Sequence, residues 1–272
     1  MSRYTMEGAG VRLKRAFGFH EVPRLDPFLL LDDFHSNDPR DYLAGFPWHP
    51  HRGIETITYV LHGEVQHEDS LGNGGVIGSG DVQWMTAGSG IIHQEMPQRT
   101  NQLLWGFQLW ANLPASHKMM PPRYRGISHD TIPLVTSQNG IEVKVICGDF
   151  EGTQGPVQDI ITDPEYLDVT IPPHTTFHHP IQQGHNAFAY VIEGRGSFAP
   201  DHTQLLSAEH LVLYGEGEAV IIGTEKQPVR FLLVSGQPIG EPVAWYGPIV
   251  MNTQEELKLA FDEYRNGTFI KS

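Results

Sequence analysis

The stretch FAYVIEGRGSF at residues 188–198 repeats the pattern of ITYVLHGEVQH at residues 57–67, with Tyr190 matching Tyr59 and Gly194 matching Gly63. The offset is 131 residues, about half of the 272-residue chain. A repeat of that length is a whole domain, not the short unit of a solenoid. The chain therefore reads as two similar domains, each large enough for its own hydrophobic core.

Strand signals fill both halves. Residues 54–61 (IETITYVL) are β-branched and aromatic and close at His62-Gly63. Residues 64–69 continue as a second strand before the turn Gly72-Asn73-Gly74-Gly75. Further strands are expected at 76–84, 103–110 and 141–146. Turn residues recur every eight to twelve positions or so, the spacing of a sandwich or barrel, and 29 glycines and 20 prolines supply them. The end of the chain differs. Thr253 to Glu256 reads as a capping box, Leu257, Ala260, Phe261 and Tyr264 follow at helical spacing, and Asn266-Gly267 stops the run. The expectation is all-β: a barrel over residues 1–140, a second over 141–240, and a tail over 241–272 whose helix packs on a barrel.

Two short clusters carry chemistry. His49-Pro50-His51 and His93-Gln94-Glu95 each put two ligand-type side chains at i, i+2, which share one face of a strand. Three imidazoles and a carboxylate aimed at one point make a metal site. Between 49 and 61 the odd positions, with Ile57, Tyr59 and Leu61, are the more apolar, so His49, His51 and Glu55 are expected to point inward with them. A bulge at Gly53 would reverse that parity. Burying two imidazoles and a carboxylate unpaired costs several kcal/mol, and a cation removes the cost. Phe46, Trp48, Trp84 and Met85 in the same segments read first as core, with some lining an apolar entrance.

The second half lacks the clusters. The offset places Pro180, Gln182 and Asn186 opposite His49, His51 and Glu55, and Thr224 and Lys226 opposite His93 and Glu95. His178 and His179 are adjacent, so they point to opposite faces of a strand, and His185 stands apart. The second barrel is expected to hold no metal.

The formal charge is −14, from 18 basic and 32 acidic side chains, which disfavours direct nucleic-acid or anionic-membrane binding. One cysteine, Cys147, excludes a disulfide within the chain and reads as a buried thiol. The N-terminal residues MSRYTMEGAGVRLKR lack the apolar core of a secretory signal, and no run of about 18 apolar residues exists, so a cytoplasmic monomer is expected.

HPHRG with a following Glu, and GDVQWMTAG-x-GI-x-H-x-E-MP, closely resemble the signatures of the pirin family within the cupin superfamily. LDPFLLLDDF at 25–34 and GPIVMNTQEELKLAFDEYRNGTF at 247–269 extend the resemblance through nearly the whole chain. It implies a bicupin, two antiparallel β-barrels packed together. It implies that His49, His51, His93 and Glu95 hold one metal ion, iron(II) by family habit, in the N-terminal barrel. The donor set also suits Mn, Ni, Cu or Zn. General cupins use a glutamate placed like Glu55, but the pirin pattern uses Glu95, leaving Glu55 beside the site or tied to Arg52. The resemblance further implies a quercetinase-type dioxygenase. It would open a flavonol ring with O2 and release carbon monoxide, with Glu95 as proton acceptor. Its other implication is an iron-containing regulator that acts through a protein partner, nuclear in a eukaryote or a modulator of metabolic enzymes in bacteria.

Overall fold

The computed structural model describes residues 2–21, 24–99, 103–200 and 204–271. Two compact units emerge: Arg3–Arg24, Phe28–His129 and Ile239–Ser272 form one, and Met1–Ser2, Leu25–Pro27 and Asp130–Pro238 the other. The units thus divide near 130 and 239, against the expected 140 and 240, and the C-terminal tail belongs with the N-terminal strands.

The first unit opens with β1 (Arg3–Glu7), β2 (Val11–Phe17) and β3 (Phe28–Ser36), then β4 (Phe46–His51), β5 (Ile54–His62) and β6 (Val65–Asp69). It continues with β7 (Gly74–Ile77), β8 (Val82–Thr86), β9 (Ile91–Pro97), β10 (Leu104–Asn112) and β11 (Arg123–Ile127). Seven strands form an antiparallel sheet in the order β1-β2-β3-β10-β5-β8-β11, and four form a second in the order β4-β9-β6-β7. Val11, Leu13, Phe34, Val60 and Leu104 of the first sheet pack with Val65 and Ile77 of the second, so the two sheets enclose one core. The expected strand at 76–84 is two strands. Gly78 to Asp81 makes a turn between them, with the Asp81 carboxylate accepting from the Gly78 N–H at 2.9 Å.

The second unit runs through β12 (Leu134–Thr136), β13 (Glu142–Cys147), β14 (Asp149–Phe150), β15 (Thr153–Gln154), β16 (Glu165–Ile171) and β17 (Thr176–Pro180). Then come β18 (Asn186–Ser197), β19 (Leu205–Ser207), β20 (Leu211–Leu213), β21 (Ala219–Gly223) and β22 (Val229–Gly236). Its main sheet has the order β12-β13-β16-β22-β18-β21-β17 around a core that includes Leu167, Phe177, Val191 and Phe231. Cys147 is buried there, outside any disulfide, and its thiol lies 3.2 Å from the carbonyls of Val157 and Pro164.

The repeat survives in backbone detail. The pairing of β5 with β10 slips past Leu61, and the pairing of β18 with β22 slips past Ile192, its counterpart at the same offset. Gly63 and Gly194, two residues on, both have positive φ, at 92° and 76°.

Strands β23 (Ala244–Tyr246) and β24 (Ile249–Met251) and helix α1 (Gln254–Arg265) return to the first unit. Thr253 and Glu256 make the reciprocal capping box. Leu257 and Ala260 pack with Ile249, Met251 and Phe269. No helix among the described residues is long and apolar enough to cross a membrane.

Candidate metal centre

β9 alternates strictly: Ile91, His93, Glu95 and Pro97 are buried, and the residues between them are half-exposed. It lies between β4 and β6, with His49 opposite His93 on one side and His67 opposite Glu95 on the other. Register alone therefore gathers four imidazoles and a carboxylate on one face. Ligand atoms of His49, His51 and His93 lie within 4.8 Å of one another, and so do those of His67, His93 and Glu95. His93 belongs to both groups, with His49 and His51 in one and Glu95 in the other. Nothing in the donor set is sulfur, so the cluster is unlike closed thiolate zinc sites.

The hydrogen bonds show what the cluster lacks. His49 Nδ1 is 2.9 Å from the Pro47 carbonyl and His51 Nδ1 is 3.0 Å from the Pro248 carbonyl. A carbonyl only accepts, so each Nδ1 carries the ring proton. Both Nε2 atoms then present lone pairs, yet they stand 3.0 Å apart. Two lone pairs at that distance repel unless they share a cation. About 3.0 Å is also the spacing of two adjacent nitrogens each about 2.1 Å from one ion. His93 is fully buried, and neither of its ring nitrogens has a partner among the described residues. Burial pulls the pKa values of His49, His51 and His93 down, the last two strongly, so the imidazoles are neutral and ready to ligate. These residues fit a divalent metal ion. The backbone carbonyls on the far nitrogens orient the rings as partners of metal-bound histidines do.

Burial pushes Glu95 up to about 7, opposed by a hydrogen bond from Thr58. Thr58 Oγ1 lies 2.9 Å from Glu95 Oε1 and 2.9 Å from Gln108 Oε1. The hydroxyl has one proton, so it donates to one neighbour at a time. When it donates to ionised Glu95, the Gln108 amide serves it best with its N–H₂ turned inward.

The parity expected from hydrophobicity does not hold beyond Gly53. Gly53 sits at φ 77°, and a Cβ there would fall 2.0 Å from the Val250 carbonyl oxygen. The chain breaks at this turn and changes sheets. Beyond it the even residue Thr58 lines the site cavity, while Ile57, Tyr59 and Glu55 face away. Both faces of β5 are buried, so hydrophobicity could not tell them apart. Glu55 accepts from Thr86 Oγ1 at 2.6 Å. Arg52 instead donates to the carbonyls of Ser89 and Phe269 and to Glu263, at 2.7, 2.8 and 2.7 Å. Trp48 is 49 % exposed, whereas Phe46 lines the cavity.

His67 was missed. It is fully buried, stacked on Tyr124 at 4.8 Å, and its Nε2 is 3.3 Å from Asp69. The signal was present as His67-x-Asp69, another i, i+2 pair on an expected strand. In the second unit His178 is exposed and His179 is buried, paired through Nε2 with both Glu165 oxygens at 3.0 and 2.9 Å.

The cluster opens onto a cavity of about 760 Å³ within the first unit. Leu13, Leu30, Phe34, Phe46, Leu104 and Trp110 give it mainly apolar walls. That size suits a small organic molecule.

Comparison with known proteins agrees with the fold. Family models described as Pirin and as Pirin C-terminal cupin domain match residues 10–111 and 166–270. The second match includes the tail that packs with the N-terminal strands. A Pirin-like protein of Caulobacter vibrioides is 47% identical over 97% of this chain and 95% of its own. Homo sapiens Pirin is 42% identical over 98% of this chain and 90% of its own. A crystal structure described as quercetin 2,3-dioxygenase from Acinetobacter baumannii is 33% identical, covers 98% of this chain and 94% of its own, and superposes with a TM-score of 0.89. Both models in sequence, together with such full-length identity on a two-unit β fold, establish that this chain belongs to the pirin family of bicupins.

Proposed function

We propose that the chain is a metal-dependent dioxygenase of the quercetinase type, which opens the central ring of a flavonol with O2. The observation that carries this reading is the junction of a neutral imidazole and carboxylate cluster with a largely apolar cavity of about 760 Å³, large enough for three rings. The likeness to a structure described as a quercetin 2,3-dioxygenase supports it.

His49, His51, His93 and Glu95 would hold one ion, iron(II) by family habit, with His67 against the same donors. Such an ion supplies Lewis acidity toward the flavonol hydroxyl and a redox partner for O2. The protein does the rest. The carbonyls of Pro47 and Pro248 lock two rings in the tautomer that presents Nε2. Glu95, which lines the cavity and is held by Thr58 at 2.9 Å, accepts the proton of the substrate's 3-hydroxyl. Thr58 then reverses its hydrogen bond, so the protonated acid still has a partner. Phe34, Phe46 and Trp110 exclude water around the flat rings.

Iron-loaded protein given quercetin is expected to consume O2 and release carbon monoxide. Glu95→Gln, with metal content measured, should lower turnover by about a hundredfold or more. Turnover that survives in a metal-free His49→Ala/His93→Ala double variant would falsify the proposal. A loaded protein that binds its ion yet leaves flavonol and O2 untouched points instead to the regulatory role.

A further inference from the structure

Four neighbouring strands carry a row of polar side chains across the cavity floor. Arg15 on β2 is registered with Asp32 on β3, Asp32 with Gln108 on β10, and Gln108 with Thr58 on β5. All four line the same cavity as His49, His51 and Glu95. They are joined in two lateral pairs. Arg15 Nε and Nη2 donate to the two Asp32 oxygens at 2.8 and 2.7 Å, and Thr58 Oγ1 meets Gln108 at 2.9 Å. Glu7 takes a further contact from Arg15 at 2.9 Å.

Two residues to either side the cavity face is apolar: Leu13 and Phe34 on one flank, Leu30 and Trp110 on the other. A wholly hydrophobic ligand would have no use for a buried carboxylate here. Asp32 is 4 % exposed, and each of its oxygens keeps acceptor capacity after the Arg15 pair. Three strand spacings separate Arg15 from Thr58, roughly 14 Å. That is the length of a flat three-ring molecule.

We propose that Gln108 and Asp32, with Arg15 behind them, form the specificity rail of this cavity. They would bind the ring hydroxyls of a flat polyphenol along the row that leads away from Glu95, with Gln108 at the nearer position and Asp32 at the further one. The inference rests on the flavonol reading of the cavity. It adds that the substrate carries hydroxyls at both ends, and that the remote ones are read along the row while Leu13, Phe34, Leu30 and Trp110 grip the ring faces.

Calorimetric titration of metal-loaded protein tests this with three flavonols: quercetin, galangin without the pendant-ring hydroxyls, and fisetin without the fused-ring 5-hydroxyl. Wild type should bind one of the two stripped compounds at least about tenfold more weakly than quercetin. Asp32→Asn and Gln108→Leu should each weaken quercetin by about tenfold and leave the weaker stripped compound unchanged. Gln108→Leu removes no charge pair and decides the case if Asp32→Asn fails to fold. Equal binding of all three flavonols by wild type, a uniform loss in the variants, or no flavonol binding overturns the rail. Discrimination without ring opening upholds the rail and sinks the dioxygenase reading. Ring opening without discrimination does the reverse.

Discussion

At His93 two buried ring nitrogens have no partner among the described residues, and beside it the His49 and His51 lone pairs face each other. An ion relieves both, so its removal should lower the thermal midpoint by several degrees, about 2–8 °C. His93→Ala should show little of that dependence, which differential scanning fluorimetry with and without chelator would reveal. Asp32 carries a second residue-scale consequence. Burial pushes it up to about 6 from 3.8, even with Arg15 on both oxygens. Below about pH 4 folded and unfolded chains both hold this proton. Between about 4 and 6 the unfolded chain releases it and the folded chain keeps it, so stability falls as pH rises through that window and is level above it. Denaturant titrations from pH 4 to 7 should show a slope that Asp32→Asn flattens. The residues proposed as ligands were legible because i, i+2 spacing on a strand survives any register. His67 was equally legible, as His67-x-Asp69, but lies outside the clusters at 49–51 and 93–95. Thr58 and Gln108 were not, since a threonine and a glutamine acquire meaning only from what the sheet register sets opposite them.

Among elements, the turn between β4 and β5 governs the site. Lys118, 2 % exposed, donates from Nζ to the Gly53 carbonyl at 2.9 Å, Asn112 Oδ1 at 2.6 Å and the Val250 carbonyl at 3.1 Å. It thereby ties that turn to β24, one residue past Ile249 and two past the Pro248 carbonyl that orients His51. Lys118→Met leaves three acceptors buried without their donor. A loss of about 3 kcal/mol or more is expected in urea unfolding. The tail acts through the same contacts. A chain ending at Asn252 would lose α1, expose Met251 and Ile249, and strip Arg52 of Glu263 and Phe269. Its affinity for the metal should fall at least about tenfold, measured by competition with a chelator of known strength. The helix was readable to the residue, from a capping box followed by 3.6-residue spacing. The inward face of β5 was not, because a strand buried on both sides gives no alternation and the positive φ of Gly53 is invisible in composition. The break at 78–81 had the same origin: Gly78-Ser79-Gly80-Asp81 was read inside a strand when it closes a turn.

For the whole molecule, duplication and divergence are both visible in side chains. The two units keep the same bulge, at Leu61 and at Ile192, yet where the first has His49 and His51 the second has Pro180 and Gln182. His179 Nε2 is held instead by both oxygens of Glu165. The repeat was legible because it preserves backbone-determining residues such as Gly63 and Gly194. The allocation of the tail to the first unit was not, since chain order suggests that the last segment packs on the last domain. The proposed centre is one ion per chain, held in the first unit by His49, His51, His93 and Glu95. Elemental analysis of iron-loaded protein tests this most directly. It should find one ion per chain in the wild type and close to none in His49→Ala/His93→Ala, whereas two ions per chain, or an ion retained by the double variant, would contradict the assignment.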